Sequence, residues 1–277
     1  MIGNTHVTVP GSVPPGRFSS KLLEKRDLSD RYYLLVMSRP PAFDDPGPGT
    51  FVHLLVPDGG RFFLRRPFSI LGCDEATISL LIVEKGTGTQ ILRRIPEGTE
   101  LDFIGPLGSS FPQMPGRTVL AVGGGVGLAP LYFYGTRAVR DDCDRYRLLY
   151  GARTRDDLFL DSFEWSVEGI AFATDDGSYG FSGNVVELAD EELTRAPADV
   201  VFSCGPTPML EALVELARSR GVPHCVSLEN RMACGVGACR SCVVPVSIDG
   251  AESYRTVCKD GPVFDAEIIV WNELPRV

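Results

Sequence analysis

Along the first 110 residues the apolar positions come in short runs, broken every few residues by turn formers. The runs Tyr32 to Met37, Phe51 to Val56, Arg61 to Leu64, Phe68 to Leu71, Thr77 to Val83 and Glu100 to Ile104 have strand length and are separated by PPAFDDPGPG, PDGG, GCDE and PEG. Strands at this spacing predict an antiparallel barrel or sandwich. A helix is expected only around Gln90 to Arg94. From about Pro115 the rhythm changes. Strand-like Val119 to Val122 leads through glycines into a helical stretch, Pro130 to Val139. Strands then follow at Arg147 to Tyr150 and Gly169 to Thr174, a helix at Val185 to Glu192, a strand at Val200 to Ser203 and a helix at Pro208 to Ser219. Alternating strand and helix implies a parallel, doubly wound sheet. The remainder opens with one more strand near Val222 and then enters a cysteine-rich region. The fold class expected is therefore multidomain α+β. An antiparallel β-barrel occupies residues 1–113, a doubly wound α/β unit 114–224, and a small C-terminal module 225–277.

Composition narrows the function classes. At 277 residues, 44% hydrophobic and 23% charged, the chain is globular in character and long enough for two or three domains. Its formal charge of −9 (27 basic against 36 acidic residues) is a poor match for nucleic acid or anionic lipid. The uncharged stretch Thr118 to Thr136 has near-membrane length. It carries Gly123, Gly124, Gly125, Gly127, Pro130 and Gly135, however, which read as a buried strand, a glycine turn and a helix start. No membrane insertion is expected. With no basic-then-apolar leader at MIGNTHVTVPGS, a cytoplasmic location is expected.

The eight cysteines are unevenly placed. Cys73, Cys143, Cys204 and Cys225 are scattered, whereas Cys234, Cys239, Cys242 and Cys258 crowd the last fifth of the chain as C-x4-C-x2-C followed by x15 and C. That is the plant-type spacing for a [2Fe–2S] cluster. Gly235, Gly237 and Ala238 let the loop curl tightly and aim N–H groups at the sulfurs. The fourth ligand follows from register. Asp249-Gly250 is a two-residue hairpin signal, and pairing Ile248 with Ala251 sets Cys242 opposite Val257. Cys258 then lies about 5 Å away across the strands. A structural zinc site is the alternative, opposed by the first spacing of four and the lack of a second C-x2-C.

Three further stretches suit nucleotide cofactors. Arg66-Pro67-Phe68-Ser69 offers a cation for a diphosphate, a ring to lie against a flavin and a hydroxyl for a ring nitrogen; an ordinary solvated arginine at a strand start is the plain alternative. Gly86-Thr87-Gly88-Thr89 precedes a short helix and is either a phosphate loop or a simple turn. Gly123-Gly124-Gly125-Val126-Gly127 and Cys204-Gly205-Pro206-Thr207-Pro208-Met209 both follow parallel strands, where open α/β sheets bind ligands. The first lacks the G-x-G-x-x-G pattern, and Gly151-Ala152-Arg153 stands where an acidic residue would end the next strand.

Taken together, RPFS, the GTGT loop, GGGVGLAPL, CGPTPM and the terminal cysteines resemble ferredoxin-reductase-type flavoproteins. ATDDGSYGFSGNV (Ala173 to Val185), LENRMACGVGACRSCVV (Leu228 to Val244) and YRTVCKDGPVFDAEIIVW (Tyr254 to Trp271) narrow the likeness to electron-transfer subunits of class 1B dihydroorotate dehydrogenase. The resemblance implies that Arg66, Pro67, Phe68, Ser69, Ile82, Val83, Glu84, Gly88 and Thr89 hold FAD. It implies that Gly123, Gly124, Gly125, Gly127, Cys204, Gly205 and Pro206 face NAD, and that Cys234, Cys239, Cys242 and Cys258 ligate [2Fe–2S]. Phe68 departs from the superfamily's usual tyrosine, which keeps stacking but loses a hydroxyl, and LIVEKGTGT departs from the family's flavin loop. Arg153 and Arg155, near the expected adenosine ribose, leave NADP open. The partner implied is an FMN-containing catalytic barrel subunit, two of each in a heterotetramer, with electrons running from dihydroorotate to NAD⁺. This chain has no room for that barrel, which needs about 250 residues. Two other readings stand beside it: a reductase subunit of a hydrogenase or ferredoxin-dependent enzyme, and a non-catalytic zinc module. The apolar tail Ile268, Ile269, Val270, Trp271 either contacts the partner or packs into the core.

Overall fold

The computed structural model describes residues 15–138 and 145–274; Cys143 and Val139 lie outside them. Six strands close an antiparallel barrel: β1 (Gly16–Asp27), β2 (Tyr32–Ser38), β3 (Phe51–Leu54), β4 (Arg66–Cys73), β5 (Thr77–Val83) and β6 (Glu100–Leu107), in the order β1-β2-β5-β4-β3-β6. Along β6 the burial alternates, with Leu101, Phe103 and Leu107 inside and Glu100 outside. That is the period-2 pattern of a sheet with one face on the core. Helix α1 (Thr87–Arg94) caps one end, its Leu92 buried in the barrel core beside Leu22, Leu54 and Phe103.

The second sheet joins β7 (Thr118–Gly124), β8 (Arg145–Ala152), β9 (Ile170–Thr174), β10 (Phe181–Ser182), β11 (Val200–Cys204), β12 (His224–Ser227) and β15 (Val263–Asp265) in the order β10-β9-β8-β7-β11-β12-β15. All neighbours are parallel except β15. Strands β7 and β11 are apolar and buried along nearly their whole length, as strands covered on both faces must be. Chain order reverses between β7 and β11, and ligands of such sheets sit outside the strand ends at that point. Helix α2 (Leu128–Ala138) lies between this sheet and the barrel, whose Tyr32, Leu71 and Leu81 join one core with its Leu128 and Leu131. Helices α3 (Val185–Arg195) and α4 (Thr207–Ser219) pack together, their Leu188 and Leu213 sharing a core with Leu120 and Val122. Strands β13 (Val243–Ile248) and β14 (Ala251–Thr256) form a separate hairpin, wedged with Leu210 and Val214 of α4 against Phe51 and Leu107 of the barrel.

The hairpin register is the one expected: Ile248 pairs with Ala251 and Val243 with Thr256, and the Val257 amide donates to the Cys242 carbonyl at 3.0 Å. Arg61 to Leu64 does not form the strand expected of it. The Asp58 carboxylate accepts the backbone N–H groups of Gly60, Arg61 and Phe62, folding the segment into a turn and leaving Phe63 exposed. Strand β1 gave no sequence signal. Its inward positions include Ser20 beside Phe18 and Leu22, and Arg17, Lys21 and the run from Glu24 to Asp27 are charged. The tail packs inward: Ile269 is buried against Val246, and the Trp271 indole donates to the Ala266 carbonyl. Among the described residues no helix is long and apolar enough to cross a membrane.

Candidate functional site: two cavities and a thiol loop

Strands β4 and β5 of the barrel form one wall of a cavity of about 190 Å³, to which Pro67, Phe68, Ser69, Ile82, Val83 and Thr89 contribute. Its opposite wall is Ser227 to Asn230 with Met232 and Pro262. Register explains the first wall, since β3 pairs with β4 and β4 with β5, placing Ser69 opposite Phe51 and Ile70 opposite Leu80. Arg66, Glu84 and Gly88 stand outside this lining. Arg66 lies over the Phe62 ring at 5.2 Å and donates to the Leu64 carbonyl, with its Nε 3.6 Å from where a Cβ on Gly88 would be. It thus flanks the first turn of α1, where free backbone N–H groups favour phosphate. Glu84 is held by Arg93 at 3.3 Å. The Thr89 hydroxyl accepts from the amides of Lys85 and Gly86, closing the loop onto the helix.

A second groove, about 950 Å³, runs over the ends of β7, β8 and β11. Gly124, Gly125, Gly205 and Pro206 line it, whereas Gly123, Gly127 and Cys204 lie beneath. Gly127 is where the two loops meet: a Cβ there would stand 2.1 Å from the Cys204 carbonyl oxygen, so only glycine permits this approach. The Cys204 thiol is 2% exposed, and burial, then the nearby Glu229, push its pKa well up. The two cavities share Val83, Lys85, Val126, Leu228, Glu229 and Asn230. Glu229 reaches solvent through the open groove, yet protein surrounds it closely enough that desolvation raises its pKa, with Lys85 opposing. Tyr32, Lys85 and Glu229 were not singled out as site residues: the first reads as a strand start, and the other two, though inside quoted motifs, as solvated charges.

Beyond Glu229 the chain enters the thiol loop. Amides of Val236 and Cys239 point at Cys234 Sγ at 3.5 and 3.4 Å, and that of Gly237 at Cys258 Sγ at 3.1 Å. The thiols fall into two pairs. The Cys239 amide donates to Cys234 Sγ, and Cys258 follows Val257, whose amide donates to the Cys242 carbonyl. Ser241, then Cys234, lowers the Cys239 thiol to about 6; burial, then Cys242, pushes Cys258 up to about 12. Among the described residues no three His, Cys, Asp or Glu side chains gather as a single-ion site. Two thiol pairs with N–H groups aimed at the sulfurs instead fit a binuclear iron–sulfur cluster, which takes two cysteines per iron.

His53 on β3 is fully buried beside this loop, neither ring nitrogen making a well-formed hydrogen bond. Burial lowers its pKa, while backbone acceptors at Cys234 and Arg65 favour the protonated ring. The predicted residues therefore assemble into three adjoining places, with His53 and Glu229 as additions that only the fold reveals.

Comparison with known proteins agrees with this geometry. Residues 229–270 match the family described as the iron-sulfur cluster binding domain of dihydroorotate dehydrogenase B. The chain is 40% identical over 228 residues to the dihydroorotate dehydrogenase B (NAD(+)) electron transfer subunit of Shouchella clausii, covering 80% of this chain and 86% of that one. It is 38% identical over 262 residues to the subunit of the same name from Geobacillus thermodenitrificans, covering 92% and 99%. Among solved structures, an NADH-dependent reduced ferredoxin–NADP oxidoreductase matches with a TM-score of 0.81 at 29% identity, over 96% of this chain and 93% of that one. A ferredoxin NADP⁺ reductase from Neisseria gonorrhoeae, at 16% identity and a TM-score of 0.61 over 74% of this chain and 92% of its own, shares the fold. With these relatives spanning most of both chains, the protein belongs to the family of electron transfer subunits of dihydroorotate dehydrogenase B.

Proposed function

We propose that this chain carries electrons from an FMN-containing dihydroorotate-oxidising subunit to NAD⁺, through its own [2Fe–2S] cluster and FAD, in a complex of two copies of each subunit. The observation that carries this reading is adjacency: the thiol loop abuts the flavin-type cavity, which shares a wall with the nucleotide groove. We assign flavin binding to residues 1–113, nucleotide binding to 114–224 and the cluster to 225–277, the last unit lending strands to the nucleotide sheet.

Bound in its cavity, FAD would exchange two electrons with the nicotinamide and single electrons with the cluster. The chain's own residues set the geometry for this. Pro67, Phe68 and Ser69 with Ile82, Val83 and Thr89 would hold the flavin ring, and Arg66 with the Gly88 turn would hold its diphosphate. Leu228 and Val126 give the place where the two cavities meet an apolar lining. Glu229, its pKa raised there, holds a proton on its carboxyl more readily than a carboxylate in open water. Gly123 to Gly127 and Cys204 to Pro206 support the nucleotide diphosphate, and Cys234, Cys239, Cys242 and Cys258 are the cluster ligands. NAD rather than NADP fits the groove. Asp157 and Asp175 line it beside Arg31 and Arg153, balancing those cations against a further phosphate, and Arg155 is paired with Asp161 at 3.2 Å.

The test is to purify the native complex and assay dihydroorotate-dependent reduction of NAD⁺. Activity with a co-purifying flavin subunit supports the reading. A yellow-brown complex inactive with dihydroorotate would move the chain to another reductase system, a reading favoured by its 29% identity to the ferredoxin–NADP oxidoreductase. A colourless protein would favour zinc.

A further inference from the structure

His53 is 0% exposed, and its ring nitrogens are among the few buried side-chain atoms left without a hydrogen bond. A leucine would fill comparable space without the desolvation, so an imidazole there calls for a physical reason. Its surroundings supply one. On the barrel side His53 pairs across β3 and β4 with Pro67, inside the segment assigned to the flavin. On the other side is the thiol loop. A Cβ on Gly235 would lie 2.5 Å from His53 Nδ1 and within 3.2 Å of two further ring atoms. Both sides of this contact are specialised. Gly235 has φ +73° and no room for a side chain, so the loop bends around the ring. The backbone groups that act on the imidazole include those of Cys234, a cluster ligand, and Arg65, which precedes the flavin segment.

We infer that His53 is a positioning residue for the cluster: its buried, unpartnered Nδ1, the ring atom that faces Gly235, is the donor available to hold the Cys234 backbone carbonyl, and with it the 234–235 peptide, against the flavin strand. This rests on the assignment of the four cysteines as cluster ligands. Partners one step removed from a metal orient its ligands, and their removal typically weakens metal retention. Here the partner belongs to the strand beside the flavin site, so one ring sets the spacing of both redox sites.

The test compares three variants in the complete complex. His53→Asn keeps a donor near the Nδ1 position, His53→Gln moves it to the Nε2 position, and His53→Leu removes it. Flavin absorbance reports whether each variant folds. The readouts are the rate at which a chelator bleaches the cluster, and the cluster's midpoint potential followed by electron paramagnetic resonance. The Leu and Gln variants should lose the cluster about 10- to 100-fold faster. Their midpoints should fall, because a donor that stabilises the more negative reduced state is gone. The Asn variant should stay close to the unaltered protein. Leu behaving as the unaltered protein, or Asn and Gln behaving alike, would overturn the inference. If Leu fails to retain flavin, the Asn–Gln comparison decides. An unaltered protein with flavin but no iron would instead refute the cysteine assignment, and this inference with it.

Discussion

Replacing Gly127 by alanine tests whether the two strand-end loops at the sheet's reversal point must touch for the nucleotide site to work. The added Cβ would lie 2.1 Å from the Cys204 carbonyl oxygen, 2.4 Å from its carbon and 2.7 Å from the Gly205 nitrogen. These are backbone atoms, so no rotamer change relieves the contact. Restoring even a tight 3.0 Å separation moves the loops apart by 3.0 − 2.1 = 0.9 Å. Overpacking of this kind costs about 1–3 kcal/mol. In a protein of this size that lowers Tm by very roughly 2–10 °C. The functional cost should be larger in proportion. A displacement near 1 Å in a site that positions a reacting group slows the step by about 100-fold. Stopped-flow reduction of the flavin by NADH, with NADH affinity measured separately, reads the effect, and Gly72→Ala is the control because its Cβ would meet nothing within 4 Å. Unchanged flavin reduction and Tm in the Gly127 variant would refute the argument that this contact builds the site.

Three other outcomes follow from the same structure. Cys239→Ser should abolish transfer to the partner while NADH oxidation by artificial flavin acceptors continues; persistence of both in enzyme assays would refute the relay. His224, only 3% exposed and with its pKa lowered to about 4 by desolvation, stays neutral in the folded chain while the unfolded chain takes up a proton. Its contribution is whole above pH 6.5 and is lost as pH falls toward 4, about 2 kcal/mol between pH 7.5 and 5; urea unfolding at both values should show His224→Gln flattening that dependence. Burial raises the Asp102 carboxyl, but hydrogen bonds from Arg17 and Arg65 outweigh it and the net shift is downward. Asp102→Asn should therefore cost about 1–3 kcal/mol at neutral pH. The difference should close as pH falls below the usual carboxylate range, a trend that thermal melts at pH 7 and pH 3 would reveal.

Local chemistry fixed much of this protein before any fold was known. The C-x4-C-x2-C loop and the Asp249-Gly250 turn depend on neighbours a few residues away, and the hairpin arithmetic that puts Cys258 beside Cys242 needed only the period of a strand. The apolar runs of β7 and β11 likewise announced buried parallel strands, because a strand covered on both faces has no polar side to hide its pattern. Where a side chain overrode propensity, the pattern misled. Asp58 turned Arg61 to Leu64 away from a strand, and the closed barrel drew charge-rich β1 into pairing on both edges. What only the tertiary structure decided is which distant pieces meet. Gly127 against Cys204, Glu229 between two cavities and His53 under Gly235 join residues separated by tens to more than a hundred positions. Such contacts arise from sheet order and from how the three units pack, and no local run of residues encodes them. The kinds of chemistry were therefore legible in the sequence, and their arrangement into one continuous path belonged to the fold.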